Sequence, residues 1–309
     1  MKRTLFIALV VVMVVYSLPL ISQTQPPTKE KPPELAPQSQ QNPKPLVIKT
    51  NMVSVTVTVS DKNRRFVTGL TRDQFEVYDD KVKQDIALFA TQDSPLTLGI
   101  VYDVSGSMNP LSTQSFRALK GLFEYSHNDD EYFVVSFNDR AKLIQDFTSV
   151  PENILNKAVF IKPKGSTALF DAIYLALEKV KEGRHEKKAL LIISDGEENG
   201  SRYSFGELRK ALRETDAQLF AIGLGTGGTL PHITETSGGL TFFPQEYGEV
   251  GDIYTRIALM LRNQYVVGFY PNGESTRTRW HKLQIKVNAP KQLGKLTVFH
   301  RNGYESSDK

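Results

Sequence analysis

The stretch LGIVYDVSGSM, residues 98–108, joins an apolar run to a group of oxygen-bearing side chains. The five residues before Asp103 have the pattern of a buried strand, and Asp103, Ser105 and Ser107 follow at every second position. Asp and Ser are common turn residues, so this end of the strand has three interpretations. It is an ordinary turn, a catalytic aspartate, or part of a metal site.

Strand and helix patterns alternate around this stretch, from residue 97 to residue 262. KKALLIISD (187–195) is a continuous apolar run, typical of a strand buried on both faces of a parallel sheet. EYFVVSF and KLIQDFT flank the turn NDRA and indicate an antiparallel hairpin, while apolar stripes at helical spacing lie between the other strands. The alternation predicts an α/β domain with a doubly wound, Rossmann-like, mostly parallel sheet and helices on both faces.

The segments on either side of this domain, 47–96 and 263–309, carry strand patterns instead. NMVSVTVTVSD (51–61), for example, alternates Val with Ser and Thr. Each segment alone is too short to bury a robust core. We therefore expect the two segments to pair into a small all-β unit, with the α/β domain inserted between them.

The N-terminus has the pattern of an export signal. Lys2 and Arg3 precede an almost wholly apolar run at 4–21, so residues 1–23 fit a cleaved signal peptide or a retained membrane anchor of about 18 apolar residues. Residues 24–46 hold seven of the 16 prolines and indicate an extended Pro/Gln-rich linker. We predict an exported bacterial protein that is periplasmic, extracellular, or tethered to the outer face of the inner membrane.

Composition excludes several classes of function. The chain has no cysteine, which rules out thiol chemistry, Cys-containing zinc sites and a Cys-linked lipid anchor. The net charge is only +4 (38 minus 34) and no basic cluster is interleaved with aromatic residues, so nucleic acid is not an expected partner. The five histidines show no metal or triad spacing and are interpreted as surface or packing residues; they are His127, His185, His232, His281 and His300.

Three features should meet at one edge of the predicted sheet, because ligands of doubly wound sheets bind at the carboxyl ends of the strands where strand order reverses. The first is the Asp-x-Ser-x-Ser segment, in which Gly106 is expected to permit a tight path. The second is the loop PKGSTALFDAI (163–173), which supplies Ser166 or Thr167, and the third is Asp195 after KKALLIIS. Two carboxylates and three hydroxyls form a hard oxygen site that suits Mg²⁺, with Mn²⁺ or Ca²⁺ as alternatives, and disfavours Zn²⁺ or Cu²⁺.

Nearby polar residues have simpler interpretations. Thr167 fits the N-cap of the following helix, and Ser166 competes with it for the metal position. Residues 197–199 (Glu-Glu-Asn) are expected to form a solvated loop. Asp171 is expected to be a surface residue or a residue favoured by the helix dipole near the start of its helix. The glycines at 223–228 lack the Lys-Ser/Thr of a phosphate-binding loop and indicate a flexible turn.

Asp-x-Ser-x-Ser after the first strand, Gly-Ser-Thr before a helix and a later Ser-Asp-Gly together resemble the von Willebrand factor A domain over residues 97–262. The resemblance implies a metal-ion-dependent adhesion site made by Asp103, Ser105, Ser107, Thr167 and Asp195. It also implies capture of a partner's carboxylate through the ion. The predicted function is therefore an exported, metal-dependent protein-binding or adhesion module whose protein ligand presents Asp or Glu. The flanking segments, TGLTRDQFEVYDDKVKQDIALF and YVVGFYP through RNGYES, are similar to those of secreted von Willebrand A-related proteins of acidobacteria.

Two other functions stay open at this point. Aspartates at two strand ends around Mg²⁺ also describe a phosphotransfer or hydrolase-like enzyme, but such enzymes need a second aspartate where Ser105 lies, and no base lies near the two serines. A structural envelope protein, in which the ion only stiffens loops, is the other alternative. The missing groups make a non-enzymatic protein the expectation.

Overall fold

The fold is built around the strand that ends in Asp103. The computed structural model describes residues 52–63, 65–91, 94–108, 115, 118–158, 163–246, 248–271 and 279–306. The strands in these ranges are β1 Val53–Ser60, β2 Phe75–Asp79, β3 Val82–Gln84, β4 Ile86–Ala90, β5 Leu96–Asp103, β6 Glu131–Phe137, β7 Ala141–Thr148, β8 Lys187–Ser194, β9 Gln218–Gly223, β10 Thr241–Phe242, β11 Gln264–Phe269, β12 Arg279–Val287, β13 Thr297–Phe299 and β14 Gly303–Ser306. The helices are α1 Lys120–Phe123, α2 Pro151–Ala158, α3 Leu169–Lys181, α4 Phe205–Glu214, α5 Leu230–Thr236 and α6 Glu249–Arg262.

The central sheet has the strand order β10-β9-β8-β5-β6-β7. Its neighbouring strands are parallel except for the β6–β7 hairpin, which is antiparallel. From β5 the chain adds β6 on one side, whereas from β8 it adds β9 on the other, so the order reverses between β5 and β8. The doubly wound α/β prediction is confirmed. Asp103 ends β5 and Asp195 follows β8, and these two strands flank the switch point.

Strand β5 is buried throughout because its two faces enter different cores. Leu98, Ile100 and Tyr102 pack into one hydrophobic cluster with residues of α6, while Val101 packs into the other with residues of α3. An apolar run without alternation is what two covered faces require. This packing fixes the strand end that carries Asp103.

The flanking segments form two four-stranded antiparallel sheets, β13-β1-β11-β4 and β14-β12-β2-β3. In the first sheet β1 pairs with β11, and in the second β2 pairs with β12, so each sheet contains strands from both sides of the α/β domain. Val55, Val57, Phe75, Tyr265 and Leu283 contribute to a hydrophobic cluster shared by the two sheets.

This β unit contacts the amino ends of the central strands. Gln264 in β11 donates a hydrogen bond to Gln218, the first residue of β9. The guanidinium of Arg301 donates to the carbonyl of Thr215, which also lies just before β9. The β unit is therefore attached at the end of the sheet opposite to the edge where Asp103 lies.

Two short helices in the structure were not predicted from sequence. Helix α2 has eight residues and α5 has seven, so neither is long enough to show a sustained apolar stripe. The anchor and linker predicted for residues 1–46 lie outside the described residues. Among the helices in the described ranges, none combines the length and apolar character needed to cross a membrane.

Candidate metal centre

Asp103 is a completely buried carboxylate at the end of β5. Its Oδ1 accepts a hydrogen bond from the Ser105 backbone N–H at 2.8 Å, and its Oδ2 accepts one from the Ser194 hydroxyl at 2.6 Å. Burial raises the pKa of Asp103 to about 6, and the nearby charge of Asp195 acts in the same direction, although the hydrogen bonds from Ser105 and Ser194 oppose it. These donors are electrically neutral, so they orient the carboxylate without balancing its charge.

The two serines after Asp103 converge through a helical turn. Residues Gly106–Met108 form a 3₁₀ turn, and the hydroxyls of Ser105 and Ser107 lie 3.1 Å apart. Ser105 is buried whereas Ser107 is exposed, so the pair reaches from the interior to the surface. The tight path expected to need Gly106 is absent, since a Cβ added there would meet the carbonyl oxygen of Gly165 at an ordinary 3.5 Å. Convergence of the hydroxyls therefore depends on the helical turn and not on a path open only to glycine.

The loop that carries Ser166 and Thr167, residues 163–168, is called the hydroxyl loop and lies directly against this turn. The Lys164 N–H donates to the Val104 carbonyl at 2.9 Å, and the Gly106 N–H donates to the Gly165 carbonyl at 3.1 Å. Thr167, which follows in the loop, is only 2% exposed. The structure thus places Thr167 in a loop that is hydrogen-bonded to the Asp103–Ser107 segment.

Thr167 does not cap the following helix. Helix α3 begins at Leu169, its N-cap residue is Ala168, and no side chain of that residue completes a cap. The N–H of Phe170 is instead bound by the carboxylate of Glu198 and the hydroxyl of Ser201, each at 3.0 Å. The N-cap interpretation of residue 167 was wrong, because the caps come from a distant loop.

Asp195 follows β8 and is 8% exposed. Its Oδ1 accepts the N–H of Glu197 at 3.0 Å, and its backbone carbonyl accepts the N–H of Gly227 at 3.1 Å. The Ser194 hydroxyl that donates to Asp103 also accepts the N–H of Gly196 at 3.0 Å. Ser194 therefore links the two strand ends, a role that the sequence analysis missed.

The loop after Asp195 is not simply solvated. The side-chain oxygen of Asn199, although its residue is exposed, accepts the N–H of Thr167 at 2.8 Å. Asp171 is 8% exposed and accepts the N–H groups of Arg202 and Tyr203, so the surface alternative was wrong. Its place in the first turn of α3 agrees with the alternative of a residue favoured by the helix dipole. The sequence shows only that Asn199 and Asp171 are polar. It does not identify their partners, which lie 31 or 32 positions away along the chain.

Gly196 allows the loop after β8 to fold against the loop after β9. Its φ is +82°, and a Cβ added there would lie 2.3 Å from the carbonyl carbon of Gly227. Both the backbone conformation and the space require glycine at this position. Glycine is therefore needed at this position of the Ser-Asp-Gly element for structural reasons.

Gly196→Ala is expected to destabilise the protein by more than about 1 kcal/mol, because it combines a positive φ with a backbone clash. Gly251→Ala is the matched control. It lies in α6, and a Cβ added there would meet nothing within 4 Å apart from its chain neighbours and the local helix backbone, so alanine should stabilise by about 0.5–1 kcal/mol. Urea unfolding of the two variants measures the difference, and equal stabilities would contradict it.

A second group of titratable side chains lies in the β unit. Ligand atoms of Asp79, Asp80 and His281 all lie within 4.8 Å of one another. Asp79 Oδ1 is 3.0 Å from His281 Nδ1, and Asp79 Oδ2 accepts the Tyr304 hydroxyl at 2.9 Å. These ligand atoms are close enough together to hold a cation, and a hydrogen bond already connects Asp79 with His281. Sequence spacing could not reveal it, because His281 lies 202 positions from Asp79.

Comparisons with known proteins identify the fold class. The sequence profile of the von Willebrand factor type A domain matches residues 98–198. A von Willebrand factor type A protein from Catenulispora acidiphila has a similar structure, with 10% identity, 81% of this chain and 72% of that chain covered, and a TM-score of 0.50. Residues 98–198 are therefore similar in sequence to the von Willebrand factor type A domain, and the fold is similar to that of the Catenulispora protein. No curated protein matches the chain in sequence.

Two further solved structures are similar over about half of this chain. The PilB minor pilin from Streptococcus sanguinis shows 13% identity and a TM-score of 0.45, with 55% of this chain and 61% of the pilin covered. The conserved hypothetical protein BatB from Bacteroides thetaiotaomicron shows 19% identity and a TM-score of 0.45, with 54% of this chain and 100% of BatB covered. The chain thus spans less than two thirds of the pilin. Von Willebrand A domains are commonly adhesion or protein-interaction modules, and they often bind a divalent metal.

The donor chemistry at the switch point fits a hard divalent cation. Asp103 and Asp195 bring two carboxylates to neighbouring strand ends, and the charge of Asp195 contributes to raising the pKa of Asp103. The hydroxyls of Ser105 and Ser107, which follow Asp103 in the chain, lie 3.1 Å apart. Oxygen donors with excess negative charge suit Mg²⁺, which keeps several waters and needs few protein ligands.

Proposed function

We propose that the chain is an exported, metal-dependent protein-binding module. A Mg²⁺-type ion at the switch point would recognise an acidic side chain of a protein partner. The residues proposed to hold the ion are Asp103, Ser105, Ser107, Thr167 and Asp195. The observation that carries the proposal is the buried carboxylate of Asp103, whose hydrogen-bond donors are neutral. It lies near the charge of Asp195 and is followed by two converging hydroxyls.

Asp103 and Ser107 have different parts in this proposal. A cation at this position supplies a Lewis-acidic contact for a carboxylate of the partner. Asp103, fixed by Ser194 and by the N–H of Ser105, contributes charge and holds the serine turn in place. The exposed Ser107 brings the site to the surface, where a partner has access.

The location of the β unit supports recognition of a large ligand. That unit is attached to the central sheet through contacts at the amino end of β9, as described for Gln218 and Thr215. The proposed site lies at the opposite, carboxyl edge. An export signal at residues 1–23 would place this edge outside the cytoplasm; that segment, its cleavage and the tether at 4–21 stay predictions.

Removal of divalent metal is expected to abolish partner capture. Purified protein immobilised on resin should retain an envelope protein in Mg²⁺ and release it in EDTA, while isothermal titration calorimetry should show saturable Mg²⁺ binding by the free protein. Asp103→Ala should eliminate both signals. The control is Asp129→Ala, an aspartate with a 73% exposed side chain just before β6, at the other end of the sheet.

The outcomes separate this proposal from the other functions. Undiminished capture in EDTA would refute metal-dependent binding. Turnover of a generic phosphoester that Asp103→Ala abolishes would favour an enzyme. A Mg²⁺-dependent rise in melting temperature without any captured protein would favour a structural role for the ion.

A further inference from the structure

The hydroxyl loop offers two adjacent candidates for the same role, Ser166 and Thr167. Their side chains are both short hydroxyls, and sequence spacing does not choose between them. Their hydrogen-bond partners, however, are different. The distinction comes from two residues on other loops, Asp139 and Asn199.

Ser166 is bound to Asp139. Its backbone N–H and its hydroxyl both donate to Asp139 Oδ1, each at 2.7 Å. Asp139 lies in the turn between β6 and β7, and its carboxylate occupies the space that a Cβ on Gly165 would need, with 2.6 Å between them. The Ser166 hydroxyl is thereby directed to a neighbouring carboxylate.

Thr167 is bound through its backbone instead. Its N–H donates to Asn199 Oδ1 at 2.8 Å, and its carbonyl accepts the N–H groups of Asn199 at 3.1 Å and Gly200 at 3.0 Å. Asn199 therefore contacts both the N–H and the carbonyl of Thr167. These bonds hold the buried threonine without using its hydroxyl.

The segment that carries Asn199 is itself fixed. Glu198 Oε1 accepts the N–H groups of Gly200 and Ser201, while its Oε2 accepts the N–H of Phe170 in the first turn of α3. Asn199 is thus held between a helix start and the Asp195 strand end. A side chain so held can position a neighbour with little loss of conformational entropy.

We propose that Asn199 is a positioning residue that presents the Thr167 hydroxyl to the cation. The inference rests on the proposed metal-binding function and adds a residue that orients one ligand. Asp139 orients the Ser166 hydroxyl toward another loop, whereas the hydrogen bonds to Thr167 hold only its main chain, which favours Thr167 as the ligand from this loop. Groups that orient metal ligands typically change metal affinity 10–100-fold when they are removed.

The test is Mg²⁺ titration of the whole protein by calorimetry. Asn199→Ala is expected to lower Mg²⁺ affinity at least about tenfold. Asn199→Asp keeps an oxygen that can accept the Thr167 N–H, so its affinity should stay within about threefold of wild type. Asn156→Ala, at an exposed position in α2, is the matched control and should bind Mg²⁺ as wild type does.

A double-mutant cycle distinguishes positioning from general loosening of the loop. If Asn199 acts through Thr167, adding Asn199→Ala to Thr167→Ala should cause little further loss of affinity. The same tenfold loss in both backgrounds would overturn the inference. So would a single variant Asn199→Ala that binds Mg²⁺ as tightly as wild type.

The controls also separate this inference from the function on which it rests. If wild type does not bind Mg²⁺, or if Asp103→Ala binds it normally, the proposed function itself fails. If Asp103→Ala abolishes binding while Asn199→Ala leaves it intact, the positioning role alone is wrong. Unfolding in EDTA should show that Asn199→Ala is folded before any titration is compared.

Discussion

Asp103→Asn is expected to abolish Mg²⁺ binding and, in the same protein, to increase metal-free stability above pH 6. The amide keeps the size of the carboxyl group, and it can accept from the Ser105 N–H while donating to the Ser194 hydroxyl. It removes one of the two charges proposed to attract the cation. A loss of affinity greater than about 100-fold is the expected calorimetric result, at the upper end for a group that acts on a metal.

The opposite effect on stability follows from the burial of Asp103. Because the folded-state pKa is raised from 3.8 to about 6, the stabilising contribution of the protonated group is complete below pH 3.8 and is lost as the pH rises through about 6. In EDTA, the free energy of unfolding of Asp103→Asn should therefore match wild type near pH 4. It should exceed wild type by up to about 3 kcal/mol at pH 7.5.

Asp129→Asn provides the control for this comparison, since it alters an exposed aspartate and should change stability by no more than about 0.5 kcal/mol. If Asp103→Asn were less stable than wild type at pH 7.5 in EDTA, the buried charge would not be costly. The argument for a cation at this position would then lose its physical basis. If Asp103 serves to bind a cation, Asp103→Asn should raise the metal-free stability and lower the affinity for Mg²⁺.

The central sheet could be predicted because its sequence signals are local. Apolar runs such as Leu98–Tyr102 and the strand before Asp195 have no alternation, and this already indicates strands covered on both faces. Ser204 and Glu207, three positions apart, also have the spacing of a capping box, and at the start of α4 Glu207 accepts the Ser204 N–H at 2.8 Å. The placement of the candidate residues near one edge follows from the parallel direction of those strands.

The contacts that orient the candidate residues were beyond sequence reasoning. Asp139 lies 27 positions from Ser166, Asn199 lies 32 from Thr167, and Ser194 lies 91 from Asp103. Each is a common polar residue whose partner is set only by the packing of separate loops. Glu197 and Asn199 are exposed, in agreement with a solvated loop, but the contacts of Glu198 and Asn199 with the loop before α3 and its first turn depend on tertiary geometry that composition does not reveal. Whether the five candidate residues bind metal stays a prediction.

Arg301→Met is expected to destabilise the protein by about 3 kcal/mol or more. Arg301 is 6% exposed, and its guanidinium donates to the carbonyls of Thr215 and Ser54, each at 2.7 Å. It also forms an ion pair with Asp216 at 2.8 Å. Methionine replaces the aliphatic part of the arginine side chain but has no guanidinium. The two carbonyls therefore lose their donor, at a cost of about 1–3 kcal/mol for each buried group.

Urea unfolding against Arg209→Met, an exposed arginine in α4, measures this effect. The control should lie within about 0.5 kcal/mol of wild type. Because Thr215 precedes β9 at its amino end, Arg301 joins the β unit to the α/β domain far from the proposed metal centre. Folded Arg301→Met should consequently bind Mg²⁺ with wild-type affinity, whereas loss of binding would mean that the β unit helps to shape the site. A stability equal to wild type would instead show that the guanidinium bonds contribute little to attachment of the β unit.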